Sequence, residues 1–302
     1  MRFIVEQSNE GQRLDVFLSE VITTASRSKI QAEIKKGKAL INFKPIKPSY
    51  ILKEDDIIDF EFSFSQENLK PIAENIPLDI IWEDENMAVV NKPSNMLTHP
   101  TLQEMSGTLV NALLNYYGEN LSDLNGDFRR GIVHRLDRNT SGLLMIAKNN
   151  KTHEFLSDEM KSKNFIKKYM AVVKGVVEKD EFLINSPLGR HLTQPHKQAV
   201  REDGKESLTY VKVLERFPEA TVLELTLITG RTHQIRVHLS SIGHPVYNDT
   251  LYGFGKMKIK TEEQVLQSYK LEFTKPFTDE RISLEIPLDS KFEKVLKFLR
   301  QN

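Results

Sequence analysis

Residues 63 to 74 set the first limit on how this chain can fold. Ser63 to Glu74 is polar, carries Pro71 with Pro77 soon after, and shows no apolar periodicity, so one continuous core cannot run through it. The 302 residues suffice for two domains. The break predicts a small one over 1–68 and a larger one over 75–302. In the first, Gly11-Gln-Arg-Leu-Asp opens a helix whose Leu14, Phe17, Leu18 and Val21 recur at helical spacing. Ser26 to Lys36 gives a second helix with Ile30 and Ile34 on one stripe, and Gly37 stops it. Ala39 to Phe43 and Asp56 to Phe62 read as short strands.

The larger part mixes hairpins with helices. Asp79 to Trp82 and Met87 to Asn91 flank a polar turn, and Leu208 to Phe217 and Thr221 to Thr229 alternate around Pro218-Glu-Ala. Lys151 to Lys163 carries Phe155, Leu156 and Met160 in a helical pattern. Arg231 to Ile242 is predicted helical, with Ile235, Leu239 and Ile242 on one face and Gly243 at its end. This pattern predicts an α+β protein: a small N-terminal module, then a domain with a mixed, mainly antiparallel sheet flanked by helices.

Charge is uninformative as a total and informative as a distribution. The formal net charge is zero, which alone argues against phosphate binding. Between Arg27 and Lys53, however, eight basic residues (Arg27, Lys29, Lys35, Lys36, Lys38, Lys44, Lys47, Lys53) face the single acid Glu33. That cluster, set on a helix of a small domain, is an electrostatic footprint for nucleic acid, with a basic packing face as the rival reading. The chain has no cysteine, which removes disulfides, thiolate nucleophiles and Cys-ligated zinc. No apolar run approaches the roughly 20 residues that span a bilayer, and a cytoplasmic protein is expected. No phosphate-cradling Gly-x-Gly-x-x-Gly or Walker sequence occurs.

The stretch with the most chemistry is Gly131-Ile-Val-His-Arg-Leu-Asp-Arg-Asn-Thr-Ser-Gly142. Ile132 and Val133 lead in, Arg135 and Arg138 bracket Asp137, and Thr-Ser-Gly supplies turn chemistry before the apolar run Leu143 to Ala147. It reads as strand, exposed loop, strand, with Asp137 a candidate nucleophile kept ionised by flanking cations. An ordinary surface turn with an Asp–Arg pair is the competing reading.

Four ordered blocks give the chain a family resemblance. Gly131 to Gly142 resembles the His-Arg-Leu-Asp-x-x-Thr-Ser-Gly signature of the RluA-type RNA pseudouridine synthases. Ile228-Thr-Gly-Arg-Thr-His-Gln-Ile-Arg-Val-His-Leu239, running on to Gly243–Gly253, resembles a second family block. Phe165-Ile-Lys-Lys-Tyr-Met-Ala-Val-Val-Lys-Gly175 resembles a third, and Val89-Val-Asn-Lys-Pro93 opens the catalytic domain. Residues 11–62 are similar to the small RNA-binding module first known from a small-subunit ribosomal protein. Such a module sets its basic helix, here Arg27, Lys29, Lys35 and Lys36, against RNA.

The resemblance implies that uridine in structured RNA is converted to pseudouridine. Ribosomal large-subunit RNA is the family's commonest substrate and transfer RNA the runner-up. The N1–C1′ bond breaks, the base turns while bound, and a C5–C1′ bond forms. No redox step or external group is involved, so no cofactor is demanded. A carboxylate can capture ribose C1′ or add to uracil C6, and the sequence does not choose. The resemblance makes Asp137 that carboxylate and sets Arg236 against it, with Arg231 as the other candidate for the pairing or a phosphate ligand. It makes Tyr169 the residue that stacks on the target base, and a core tyrosine is the plain alternative. Arg135 would enter the space left by the flipped nucleotide, with His134 beside it at the RNA. His233 and His238 lie five apart and no His-Glu-x-x-His occurs, so no metal site is expected. Ser94-Asn95 and Lys275 depart from the family pattern. A monomer is expected.

Overall fold

The computed structural model describes residues 1–22, 25, 27–62, 70–162, 164–194, 196–254 and 258–301. The chain divides into two compact units, Met1–Leu69 and Lys70–Asn302. Most of the expected linker, 63–69, and the helix start at Ser26 lie outside the described residues. The rest of that segment is not a free tether. Asn111 Nδ2 donates to Ile72 O at 2.7 Å, and Glu74 N–H donates to Asn111 O at 3.0 Å. These bonds tie residues 72 and 74 to the second unit.

The first unit comprises β1 (Arg2–Ile4), α1 (Leu14–Val21), α2 (Arg27–Glu33), β2 (Ala39–Ile41), β3 (Lys44–Pro45) and β4 (Ile57–Phe60). Its strands pair antiparallel in the order β1-β4-β2-β3. Leu14, Leu18, Ile30, Ile34, Ile58 and Phe60 form its core, as the helical spacing predicts. Gly37 has φ 81°, the left-handed value that ends the helical path before β2.

The second unit runs through β5 (Ile80–Glu83), β6 (Met87–Lys92), α3 (Leu109–Tyr117), β7 (Ser141–Ala147), α4 (Asn150–Lys161), β8 (Ile166–Lys174), β9 (Glu181–Asn185), β10 (Leu188–Arg190) and β11 (Gln198–Val200). It continues with β12 (Leu208–Phe217), β13 (Ala220–Leu227), α5 (Gln234–Ser241), β14 (Leu266–Thr274), β15 (Arg281–Glu285) and α6 (Ser290–Gln301). Its large sheet has the order β5-β6-β7-β14-β8-β13-β12-β9, with β15 paired to β14, and β10 and β11 form a separate hairpin. Every named pairing is antiparallel except a short parallel join of β7 to β14. The α+β expectation therefore holds.

Strand alternation sorts the core into layers. Val90, Leu144, Ile146, Ala171 and Leu225 pack with Leu109 of α3 and Leu239 of α5. Their neighbours turn the other way: Val89, Leu143 and Met145 pack with Leu156 of α4, and Val172 and Val222 with Phe292 and Val295 of α6.

Two local expectations are corrected. Ile132 makes only a single bridge to Ile146 and starts no strand. The Met145 N–H that a neighbouring strand would claim donates instead to His134 Nε2 at 3.0 Å, so residues 133–140 leave the sheet as a loop. The helix expected from Arg231 begins at Gln234, after His233 in the left-handed region at φ 56°. The Gln234 side chain closes the preceding turn, accepting from Arg231 N–H and Thr229 Oγ1, each at 2.9 Å.

Candidate active site

The loop carrying Asp137 is tied on both arms. Thr98 Oγ1 donates to Leu136 O at 2.9 Å, Thr140 N–H donates to Asp137 O at 3.1 Å, and Gln264 Nε2 donates to Thr140 Oγ1 at 2.8 Å. Beneath it lies Lys92, the last residue of β6, with no solvent exposure. Its ammonium donates to the carbonyls of Pro93 (2.8 Å), Met96 (2.9 Å) and Arg138 (3.1 Å). Burial, with Lys291 nearby, pushes it down to about 7. Just past the loop, Gly142 has φ 116°, and a Cβ there would lie 2.1 Å from Ser268 O. Only glycine lets β14 approach this closely, so the loop's exit is fixed by backbone contact.

Asp137 meets Arg236, whose Nη1 donates to its Oδ2 at 2.9 Å. Arg231 does not pair with Asp137: its Nε donates to Glu206 O at 3.1 Å. The bracketing arginines also do other work than expected. Arg138 is turned onto Glu104, with Nη1 donating to Oε1 at 3.0 Å, and Arg135 stands exposed at the cavity. The cation on the carboxylate therefore comes from α5, 99 residues away. The helix was expected to bury one face through Ile235, Leu239 and Ile242, yet every residue from Gln234 to Leu239 is buried, because this part of α5 is enclosed on all sides.

A guanidinium this deep needs more than one counter-charge. Asp249 supplies it: Arg236 Nε donates to Oδ2 at 2.7 Å and Nη2 to Oδ1 at 2.9 Å. The N–H groups of Leu251 and Tyr252 also donate to Asp249 Oδ1, at 2.9 and 3.0 Å. Burial would raise the Asp249 carboxyl, but the Arg236 bonds and these amides outweigh it and hold it below the usual range. Burial likewise works against the Arg236 charge, and Asp249 and Asp137 overcome it. The Tyr252 ring covers the guanidinium at 5.1 Å.

His233, which carried no assigned role in the sequence, stands with Nε2 4.0 Å from Asp137 Oδ1. Tyr252 Oη accepts from Gln198 N–H at 2.8 Å and shares a hydrogen bond with His233 Nδ1, also at 2.8 Å, which turns Nε2 toward the carboxylate. Burial lowers the His233 pKa, the Asp137 charge opposing it.

Asp137, Tyr169, Arg236, His134, Arg135 and Arg231 all line one cavity of about 330 Å³. Tyr169 is 5% exposed and belongs to the core while facing this cavity, so the two readings of it coincide. Burial raises its phenol above the ordinary value, with the Asp137 charge adding to the effect, and it stays protonated. His134 lines the cavity as a neutral strut for the loop. Burial and then the Lys167 charge push it down to about 3, so it brings no positive charge to phosphate. Among the described residues no group of three His, Asp or Glu side chains is placed to hold a metal ion. Nor is any helix long and apolar enough to cross a membrane.

In the first unit Arg27 and Lys36 are partly committed, Arg27 to the buried Asp15 at 2.9 Å and Lys36 to Glu33 at 2.7 Å. Lys29 and Lys35 lie on the same basic stretch, and Lys35 also lines a groove with Arg13, Gln31 and Lys47.

Residues 86–241 match the model of the RNA pseudouridylate synthase family, and residues 12–58 match the S4 domain. This chain belongs to the RNA pseudouridylate synthase family. The chain is 40% identical to an uncharacterized RNA pseudouridine synthase of Aquifex aeolicus, covering 100% of this chain and 98% of that one. It is 39% identical to an uncharacterized RNA pseudouridine synthase of Bacillus subtilis, covering 98% and 97%. It is 35% identical to ribosomal large subunit pseudouridine synthase D of Pseudomonas aeruginosa, covering 97% and 93%. Human RNA pseudouridylate synthase domain containing 1 shares the fold with a TM-score of 0.58 at 24% identity, over 76% of this chain and 97% of that one. As a family member the chain is an isomerase of uridine in RNA, with an RNA-binding S4 domain.

Proposed function

We propose that this isomerase acts on large-subunit ribosomal RNA and that Asp137 is its nucleophile. The observation that carries the second part is the contact of Asp137 with Arg236 inside the cavity lined by Tyr169. A carboxylate there is held by a cation it shares with Asp249, yet retains Oδ1 for the substrate, while the phenol offers a ring on which an extruded uracil can stack. The bond from N1 to C1′ breaks, the base turns, and the C5–C1′ bond forms as C5 loses a proton and N1 gains one. Relatives named as ribosomal large subunit synthases support the substrate. The S4 domain, with Lys29 and Lys35 on its basic stretch, would hold structured RNA in the cytoplasm while the second unit performs the chemistry.

The test is to map pseudouridine in total RNA from cells with and without the gene. Loss of one or more sites in large-subunit ribosomal RNA is expected. Loss confined to transfer RNA would overturn the substrate. Release of free uracil from labelled RNA in place of pseudouridine would overturn the reaction.

A further inference from the structure

Lys167 is a charged group of this cavity for which the reaction above has no use. It lies on β8 two residues before Tyr169, so the strand's alternation directs both side chains to one face, and both line the cavity with Asp137. The ammonium stands 5.5 Å from the centre of the Phe165 ring. A Cβ at Gly230 would sit 3.6 Å from Nζ, so the bare backbone at Gly230 forms the near wall.

The groups around it leave its charge unanswered. From the loop come His134, which is neutral, Arg135 and Asp137; from β8, the protonated Tyr169; and from residues 228–236, Arg231, His233 and Arg236. Asp137 shares the Arg236 cation with Asp249, and no ion pair joins it to Lys167. Among the described residues no carboxylate lies within 4.0 Å of Lys167, whereas Lys168, on the other face, pairs with Glu224 at 2.9 Å. Burial alone pushes the Lys167 ammonium down to about 8. A half-buried cation whose contact is an aromatic ring and not a counter-charge is costly, and a ligand anion would relieve that cost.

We propose that Lys167 binds a phosphodiester of the nucleotide whose base enters the cavity beside Tyr169. This rests on the reading of the cavity as the site of RNA isomerisation. Uracil arrives neutral and offers only weak acceptors, while a phosphodiester carries a full charge at every relevant pH and suits an ammonium as a point charge. The free protein holds Lys167 protonated below about 8. Binding an anion favours that protonated form, so affinity falls as pH rises through this value.

The probe is an RNA hairpin whose loop contains only uridine, with affinity measured against salt and between pH 7 and 9. Binding is read without turnover. Lys167→Met should lower the log–log salt slope by about 0.7, one phosphate on a single strand, and remove the loss of affinity with pH. Lys167→Arg, charged throughout, should keep the wild-type slope and lose less affinity than wild type as pH rises through this window. Lys92 is unaltered in both variants and cancels from the comparison. A folded Lys167→Met protein with the wild-type slope and pH profile overturns the proposal. So does a Lys167→Arg protein that loses affinity with rising pH as steeply as wild type, a result that stands even if the methionine variant misfolds. A wild-type protein unable to bind the hairpin overturns it as well. A Lys167-dependent slope without pseudouridine in any cellular RNA would instead overturn the isomerisation reading and leave the phosphate contact standing.

Discussion

Arg236 grips Asp249 at two points, 2.7 and 2.9 Å, and leaves only Nη1 to reach Asp137 at 2.9 Å. The buried aspartate thereby aims the guanidinium at the exposed side of the pair. Two carboxylates on one arginine leave the cluster with one net negative charge, carried toward the cavity by Asp137. Asp249 is a positioning residue: it acts on substrate only through Arg236.

Asp249→Asn keeps the shape and one acceptor but removes the charge that holds Arg236. The expected cost is about 3 kcal/mol of stability, the lower end for breaking a buried pair, together with a loss of turnover of at least about 100-fold, the scale at which small misplacements act. Urea unfolding and pseudouridine formation measure the two. Unchanged turnover would mean that Tyr252 and the cavity walls suffice to aim Arg236.

Asp137→Asn should abolish isomerisation and leave folding and RNA affinity close to wild type, since the side chain keeps its shape and loses its nucleophilic charge. Single-turnover assays with equilibrium binding separate the effects. Activity within about tenfold of wild type would make Asp137 a structural residue.

Lys92 gives a pH signature of its own. Its folded pKa of about 7 lies below its ordinary 10.5, so between these values the unfolded chain binds more protons than the folded one. Stability therefore rises with pH across that window, by up to about 1.4 kcal/mol per pH unit for one proton. Lys92→Met should remove this part of the rise while the Lys167 contribution, of the same sign, remains. Denaturant unfolding at several pH values from 6.5 upward checks it; identical slopes for both proteins would contradict it.

Deleting residues 1–68 should weaken binding to folded RNA and lower the salt slope by about 0.9 for each duplex phosphate that the first unit neutralises. Chemistry on a short loop presenting the target uridine should survive at high enzyme concentration, because Asp137, Tyr169, Arg236 and Asp249 all lie in the second unit. Activity on the two substrates is compared, with circular dichroism confirming that the fragment folds. A folded fragment inactive on both would show that the first unit helps to build the site.

Sequence alone determined the α+β class; it also placed a polar break near residue 69, where the two compact units meet, and the family resemblance named Asp137, Tyr169 and Arg236, which line one cavity. Local chemistry sufficed for these: helical spacing at Leu14, Phe17 and Leu18, turn residues after Asp137, and motifs dense enough to give a family resemblance. α3 and α6 went unread, and so did Lys92 and Lys167. A helix such as Leu109–Tyr117 shows its role only when a sheet face needs covering. Tertiary structure decided the charges. The resemblance favoured Arg236 and kept Arg231 as a rival; the structure chose between them, because pairing depends on distance across 99 residues of chain and on which guanidinium is buried deeply enough to need two carboxylates. Asp249 was visible in the motif, yet nothing local marks it as the second acid until Arg236 is seen enclosed on every side. The same enclosure leaves Lys167 with no carboxylate within 4.0 Å among the described residues, since burial and pairing are properties of the assembled cavity.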